Sequence, residues 1–137
     1  MIEKAIRAEL VGVTAIAAAI GSRCYLQQRQ QGSALPAITF EVTRIEPFRT
    51  LAGDSGLYQA EVTISSVAET YLGARAVADL VRNNAEAFAS SGTVHGVHLL
   101  AVRFVDEAPL EAGLYEGEEN EPTAIEQNYT VHFEEVP

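Results

Sequence analysis

ITFEVTRIEPFRTLAGDSGLYQAEVTI, residues 38–64, holds two runs of alternating apolar and polar residues on either side of a polar, glycine-bearing break. Ile38, Phe40 and Val42 lie on one side of the first run, with Thr39, Glu41 and Thr43 on the other. Tyr58, Ala60, Val62 and Ile64 alternate in the same way against Gln59, Glu61 and Thr63. A period of two is that of a strand with one buried face, so the stretch predicts a long antiparallel hairpin. Pro47 is expected to end the first strand and FRTLAGDSG (48–56) to supply the turn. Burying a large apolar side chain contributes about 1.5–3 kcal/mol, and a slip of one residue would expose the whole set. The register that hides Ile38, Phe40, Val42, Val62 and Ile64 is therefore selected.

On the N-terminal side of the hairpin the period is helical. Ile2, Ile6, Leu10, Val13, Ile16 and Ile20 recur at three- or four-residue spacing and predict one helix over about 2–20, stopped by Gly21. Glu3 and Glu9 interrupt this segment and no basic leader precedes its apolar part, so it reads as a domain helix and not a signal peptide. A short extended piece, Arg23-Cys24-Tyr25-Leu26, and a polar loop ending in Pro36 lead into the hairpin. Beyond it, Leu72, Ala76, Val77, Leu80, Val81 and Phe88 predict a second helix over about 70–89, opened either by a Ser66–Glu69 capping box or by Thr70. VHGVHLLAVRFV (94–105) is apolar at most positions in either phase, which suggests a central strand covered on both sides or one carrying a bulge. DEAPLEAGLYEGEENEPT (106–123) shows no sustained period and reads as an acidic loop inserted before the last strand. In that strand Ile125, Gln127, Tyr129, Val131 and Phe133 oppose Glu126, Asn128, Thr130, His132 and Glu134. The order predicts one α+β domain over 1–137. It is two-layered, with two helices on one face of a mostly antiparallel sheet of about four to five strands.

Charge is divided unevenly along the chain. All nine Lys and Arg and nine of the nineteen acids lie in residues 1–105, so the net charge of −10 arises entirely in residues 106–137. No basic patch of the kind that neutralises phosphates is concentrated anywhere, which argues against direct nucleic-acid binding. A hydrophobic fraction of 47% is enough for a core. No apolar run reaches the roughly 18 residues of a membrane span.

Residue types that carry chemistry are present but badly arranged for it. Cys24 is the single cysteine, so there is no intrachain disulfide framework, and no histidine base stands near it in sequence. His95, His98 and His132 are the three histidines that a metal site or a small hydrolase would draw on. In a strand, residues three apart face opposite ways unless Gly96 permits a bulge. Ser55, in GDSG, sits between two strands and not on a strand-to-helix elbow, so it suits a turn and not a nucleophile. The pairs Asp106/Glu107 and Glu118/Glu119 fall in the acidic run, where solvation keeps carboxylates alike and ill-suited to acid–base work. Phosphate-cradling glycine motifs are absent, and no cofactor or metal is expected.

Several tracts, in order, resemble the tail-completion (tail-terminator) proteins of long-tailed bacteriophages. They are the N-terminal helix, GSRCYLQQRQQGSALPAITFEV (21–42), LAGDSGLYQAEVTI (51–64), ETYLGARAVADLVRNN (69–84) and NYTVHFEE (128–135). The most specific piece runs from Tyr58 to Arg82, where Thr70-Tyr71, Ala74-Arg75 and Ala78-Asp79 match the family's habitual pattern. The resemblance implies a non-catalytic virion protein made in the host cytoplasm and placed at the head-proximal end of the tail. Its implied partners are copies of itself in a ring, commonly a hexamer, together with the tail tube protein and the head connector protein. DNA would pass through without specific binding, and no membrane is involved. Within that role, strand edges and the hairpin residues Phe48, Arg49, Leu51 and Asp54 are the expected protein contacts. Glu116, Glu118, Glu119 and Glu121 are either a lumen-facing element that repels DNA or plain solvated surface. Residues 106–121 depart from the family in being longer and more acidic. A head–tail neck or minor tail protein is the neighbouring reading. A small hydrolase or ligand-binding α+β domain using His95, His98 or His132 is the rival from another class.

Overall fold

The computed structural model describes residues 2–27, 34–50, 53–90, 92–111 and 122–135, with only the backbone described at 48–50, 53–55, 90, 110 and 111. Its elements, in order, are α1 (Ile2–Gly12), α2 (Thr14–Ile20), β1 (Cys24–Leu26), β2 (Ala37–Thr50), β3 (Gly53–Ala68) and α3 (Tyr71–Ala85). A 3-10 turn (Glu86–Ser90), β4 (Thr93–Val94), β5 (Val97–Glu111) and β6 (Thr123–Glu135) complete the chain.

The six strands form one sheet in the order β1-β2-β3-β6-β5-β4. β1 runs parallel to β2 and every other pair is antiparallel. The α+β class holds, but the sheet has six strands instead of four to five and is partly parallel, because β1 adds beside β2 in the same direction.

The predicted hairpin forms in the predicted register, with Phe40 opposite Ile64 and Val42 opposite Val62. It is longer than expected, since Pro47 does not end β2. Pro47 pairs with Tyr58 on a stretch of β2 that β1 does not reach, and a proline on an outer strand removes no ladder bond when its nitrogen faces outward. Only residues 51–52 separate the two strands.

The first helix is two helices. Gly12 weakens the helix there and Val13 adopts extended angles (φ −79°, ψ 118°). The apolar spacing survives the break, because Ile2, Ile6 and Leu10 of α1 and Ile16 and Ile20 of α2 are all buried in one core. α3 begins after Thr70, whose Oγ1 accepts a hydrogen bond from Gly73 N–H at 3.1 Å. Thr70 is thus the cap, and the Ser66–Glu69 alternative falls away. Gly73 is required for closeness: a Cβ there would stand 3.1 Å from the Ala68 Cβ. α3 stops at Ala85 and tightens into the 3-10 turn instead of running to 89.

β5 is not a central strand covered on both faces; β3 and β6 occupy the centre. Its unphased apolar run comes from register shifts between Leu99 and Ala101 and between Phe104 and Asp106. The inward residues are Val97, Leu99, Val102 and Phe104, spaced two, three and two apart, while Leu100 and Val105 are turned out. His95 and Gly96 are not strand residues but the two-residue turn joining Val94 to Val97, both at positive φ (50° and 77°) as such turns require. Nor does the acidic loop begin at 106: β5 continues to Glu111, so Asp106, Glu107 and Glu111 are strand residues.

The helices cover one face of the sheet. Val62, Ile64, Tyr129, Val131 and Phe133 meet Val77, Val81 and Phe88 and the residues of α1 and α2 there. β6 keeps the clean alternation expected of it.

Candidate functional site

The helices leave the other face of the sheet uncovered except at its Ala68 end, where Ala37, Val67 and Ala124 of that phase are buried, and its residues follow from the register. Thr39, Glu41, Arg44 and Glu46 of β2 stand in rows with Gln59, Glu61, Thr63 and Ser65 of β3. Glu126, Asn128, Thr130, His132 and Glu134 of β6 and His98, Arg103 and Asp106 of β5 continue those rows. Polar side chains need no cover, so this face is stable in water as it stands. Among the described side chains it carries the carboxylates of Glu41, Glu46, Glu61, Asp106, Glu126 and Glu134 against two guanidinium groups, Arg44 and Arg103. Short contacts order it. Arg44 pairs with Glu46, Thr63 Oγ1 donates to Asn128 Oδ1 at 2.8 Å, Asn128 Nδ2 donates to Asp106 at 2.6 Å, and His98 Nδ1 lies 3.1 Å from Glu134.

This face is dished. Val42, Val62, Tyr129 and Phe104 form one row across four strands, and the register shifts of β2 and β5 both lie beside that row. Bulges add local twist and bend, and here they bend both outer strands at the same level. A depression of about 230 Å³ results, lined from β2 by Thr43, from β3 by Glu61 and Thr63, from β6 by Asn128 and Thr130 and from β5 by Val105 and Asp106.

The sheet also has two different ends. Leu57 pairs with Glu134 and Ala68 with Thr123, so the tip of the β2–β3 hairpin and the β5–β6 connection leave from opposite ends. At about 3.4 Å per residue they are separated by roughly 37 Å of paired strand. Arg49 and Asp54 are brought opposite each other near the hairpin tip. Of that group, the side chains of Phe48, Arg49 and Asp54 and the whole of Leu51 lie outside the described residues, as do Glu116, Glu118, Glu119 and Glu121.

A polar latch ties the helix layer to the sheet. Arg75, on α3, reaches Glu107 of β5 at 2.5 Å and Asp79 at 3.0 Å, and Arg82 stands 3.6 Å from Glu107 while lying over the Phe104 ring at 4.2 Å. Gln127, fully buried, donates to the Ala78 carbonyl at 3.1 Å and to Glu107 at 3.3 Å, and accepts from the Tyr129 hydroxyl at 3.2 Å. The hydrogen bond from Arg75 holds the Glu107 carboxyl below its ordinary 4.5 and the Arg75 guanidinium above its own usual range. Burial pushes the Tyr129 hydroxyl up. These bonds together fix α3 on β5 and β6. Its signal in the sequence was an amide, Gln127, in the inward phase of an otherwise apolar alternation.

The histidines do not assemble. His98 is taken by Glu134, His95 is a turn residue, and among the described residues no three His, Cys, Asp or Glu side chains gather as a metal site would require. Cys24 is buried, and desolvation raises its thiol from 9.0 to about 11, partly offset by Arg7. It is therefore the opposite of an activated nucleophile.

Comparison with known proteins agrees with this layout. No curated protein matches the chain. By structure it is similar to a chain from the virion of a native gene transfer agent particle, with a TM-score of 0.70 at 15% identity, covering 96% of this chain and 92% of that one. The family described as tail completion protein gp17 matches residues 4–110. That span takes in nearly all of α1, the whole of α2 and α3, the whole β2–β3 hairpin and nearly all of β5, and by it the chain belongs to the tail completion protein family and is a structural protein of a phage tail.

Proposed function

We propose that the chain is the repeating subunit of a ring, most simply a hexamer, that caps the tail tube and joins the tail to the head connector, without catalysis. The observation that carries this reading is the two-ended sheet. Two dissimilar connections leave it at opposite ends, so a ring whose axis follows the strands presents one end to the tube and the other to the connector. The tip bearing Phe48, Arg49, Leu51 and Asp54 serves one partner. The end bearing Glu116, Glu118, Glu119 and Glu121 serves the other or the lumen. The dished acidic face supports the same reading, since carboxylates facing a channel repel a DNA backbone and let it slide without binding.

Electron microscopy of the purified protein with tail tubes and with connectors tests the proposal. Rings seated on tube ends and bridging to connectors are expected; protein that binds neither overturns it. A label found elsewhere in intact virions would move the protein to the neck or to a minor tail position. Replacing Glu116, Glu118, Glu119 and Glu121 with glutamine should leave folding intact, and unchanged DNA passage and infectivity would reduce that segment to solvated surface.

A further inference from the structure

We infer that neighbouring copies join by pairing the open edge of β2 on one copy with the open edge of β5 on the next, antiparallel, into one continuous sheet. The inference rests on the ring reading above and specifies its joint.

Both edges are flanked by short outer strands, and the 3-10 turn (Glu86–Ser90) packs against β5 as well. β1 covers β2 only at Ile38–Phe40, and β4 covers β5 only at Val97 and His98. Beyond those residues no described strand flanks β2 or β5. The direction of their backbone groups follows from two hydrogen bonds on the β1 side: Ile38 N–H donates to the Arg23 carbonyl, and Gln27 N–H donates to the Phe40 carbonyl. Ile38 and Phe40 therefore turn their backbone away from β3. Alternation carries the same phase along β2 to Val42, Ile45 and Pro47, which oppose Val62, Ala60 and Tyr58. Carried across β3 and β6, it turns the backbone of Val102, Phe104, Glu107 and Pro109 outward from β5. The sequence agrees at two independent points: Pro47 and Pro109, which have no N–H to give, both fall in the outward phase.

The occupant of these edges is a second copy, on two grounds. β2 and β5 run in opposite directions within the sheet, so a copy displaced along the sheet brings one edge to the other as an antiparallel pair. Each edge carries an outward-phase proline and bulges, devices that restrain unspecific pairing, and each also exposes apolar side chains, Ile45 (47%) on β2 and Leu100 (41%) and Val105 (55%) on β5. The joint uses different surfaces on its two sides, so it propagates head to tail, which is the kind of joint that a closed ring requires.

Two variants test it, each removing an outward N–H from one edge: Ile45→Pro and Val102→Pro. Circular dichroism and urea midpoints check that each is folded. Sedimentation and native mass spectrometry should show rings for the wild type and complete loss of every species above monomer for either variant alone. An equal mixture of the two retains one good β2 edge and one good β5 edge, so it should double in mass to a dimer and stop. Dimers of either variant alone would show a two-fold joint instead and overturn the inference. Rings undiminished by both folded variants would overturn it while leaving the ring reading intact. A wild type that forms no ring, alone or on tubes, overturns both. Should a variant fail to fold, amide exchange on the wild type decides the matter: assembly must slow exchange at Val42, Ile45, Val102 and Phe104, and unchanged rates there refute the joint.

Discussion

Gln127 and Tyr129 form the most testable part of the latch. Gln127 is fully buried and Tyr129 is 2% exposed, and the Tyr129 hydroxyl donates to Gln127 Oε1 at 3.2 Å. Gln127→Leu keeps most of the volume but strands a buried hydroxyl, at about 1–3 kcal/mol. The Ala78 carbonyl loses an extra donor, and Glu107 keeps Arg75 and Arg82. Tyr129→Phe strands the amide oxygen instead, for about 1 kcal/mol or somewhat more. In the double variant both polar partners are gone and apolar atoms meet, so the loss should fall below the sum of the single losses by about 1–2 kcal/mol. Gln127→Ala adds a void of roughly 55 Å³, worth about 1.3 kcal/mol more at ~24 cal/mol per Å³. Urea unfolding of the four proteins of the cycle, plus the alanine variant, measures all of this. Additive losses within about 0.4 kcal/mol would refute the claim that these two groups satisfy each other.

Three further outcomes follow from the same structure. Glu107→Gln should cost about 1–2 kcal/mol at neutral pH. Because the folded carboxyl is held below 4.5, that stabilisation is present above 4.5 and is lost as pH falls, so the wild type and variant should converge in acid. Cys24 ionises near 9.0 unfolded and about 11 folded, so it should lower stability by about 1.4 kcal/mol per pH unit between those values, a contribution that Cys24→Ala removes and that is cleanest below pH 10, where buried Tyr129 begins to add its own. The Ser66 hydroxyl is buried with no hydrogen-bond partner among the described residues, so Ser66→Ala should raise the urea midpoint, by a gain of about 1 kcal/mol; a loss would show that the hydroxyl is satisfied in solution.

The elements were legible where periodicity runs unbroken. β6 spaces Ile125, Gln127, Tyr129, Val131 and Phe133 two apart without interruption, and its reading needed no revision. In β5 two register shifts insert a residue each, so the inward side chains no longer keep one phase and the run looks apolar all round. The extent of strands was hidden for a different reason. Proline signals a stop only where its nitrogen would have to donate, and whether a strand is outer or inner is a property of the sheet and not of its own residues. Pro47 was therefore misleading, and Pro109 likewise lies within a strand. For the site, the acidity of the C-terminal quarter was plain in composition, yet its physical meaning was split. Glu107 faces the helices and locks them, Asp106, Glu126 and Glu134 lie on the open face, and the helix partners Arg75 and Arg82 are 32 and 25 positions away from Glu107 in sequence. Ion pairs across such separations leave no local pattern to read.

The distribution of polarity decides how this fold can grow. Stacking two copies through their uncovered faces would bring the carboxylates of Glu41, Glu46, Glu61, Asp106, Glu126 and Glu134 against their own kind with only Arg44 and Arg103 to offset them. That desolvates like charges and is unfavourable. The inner sides of the helices are spent on the core, and their outer surface exposes Tyr71 and Leu72 at the start of α3. The plane of the sheet also offers contacts, where outward backbone groups of β2 and β5 and the apolar side chains Ile45, Leu100 and Val105 stand in water. Growth in that plane conserves strand direction from copy to copy. Because the paired bulges already bend the sheet toward its polar side, copies joined in that plane, on the ring reading, would turn toward the acids and not toward the helices. On the ring reading, then, an acidic channel needs no dedicated segment. It follows from a bent sheet whose one uncovered face is polar, and any contribution from Glu116, Glu118, Glu119 and Glu121 is added to a field that the strands already set.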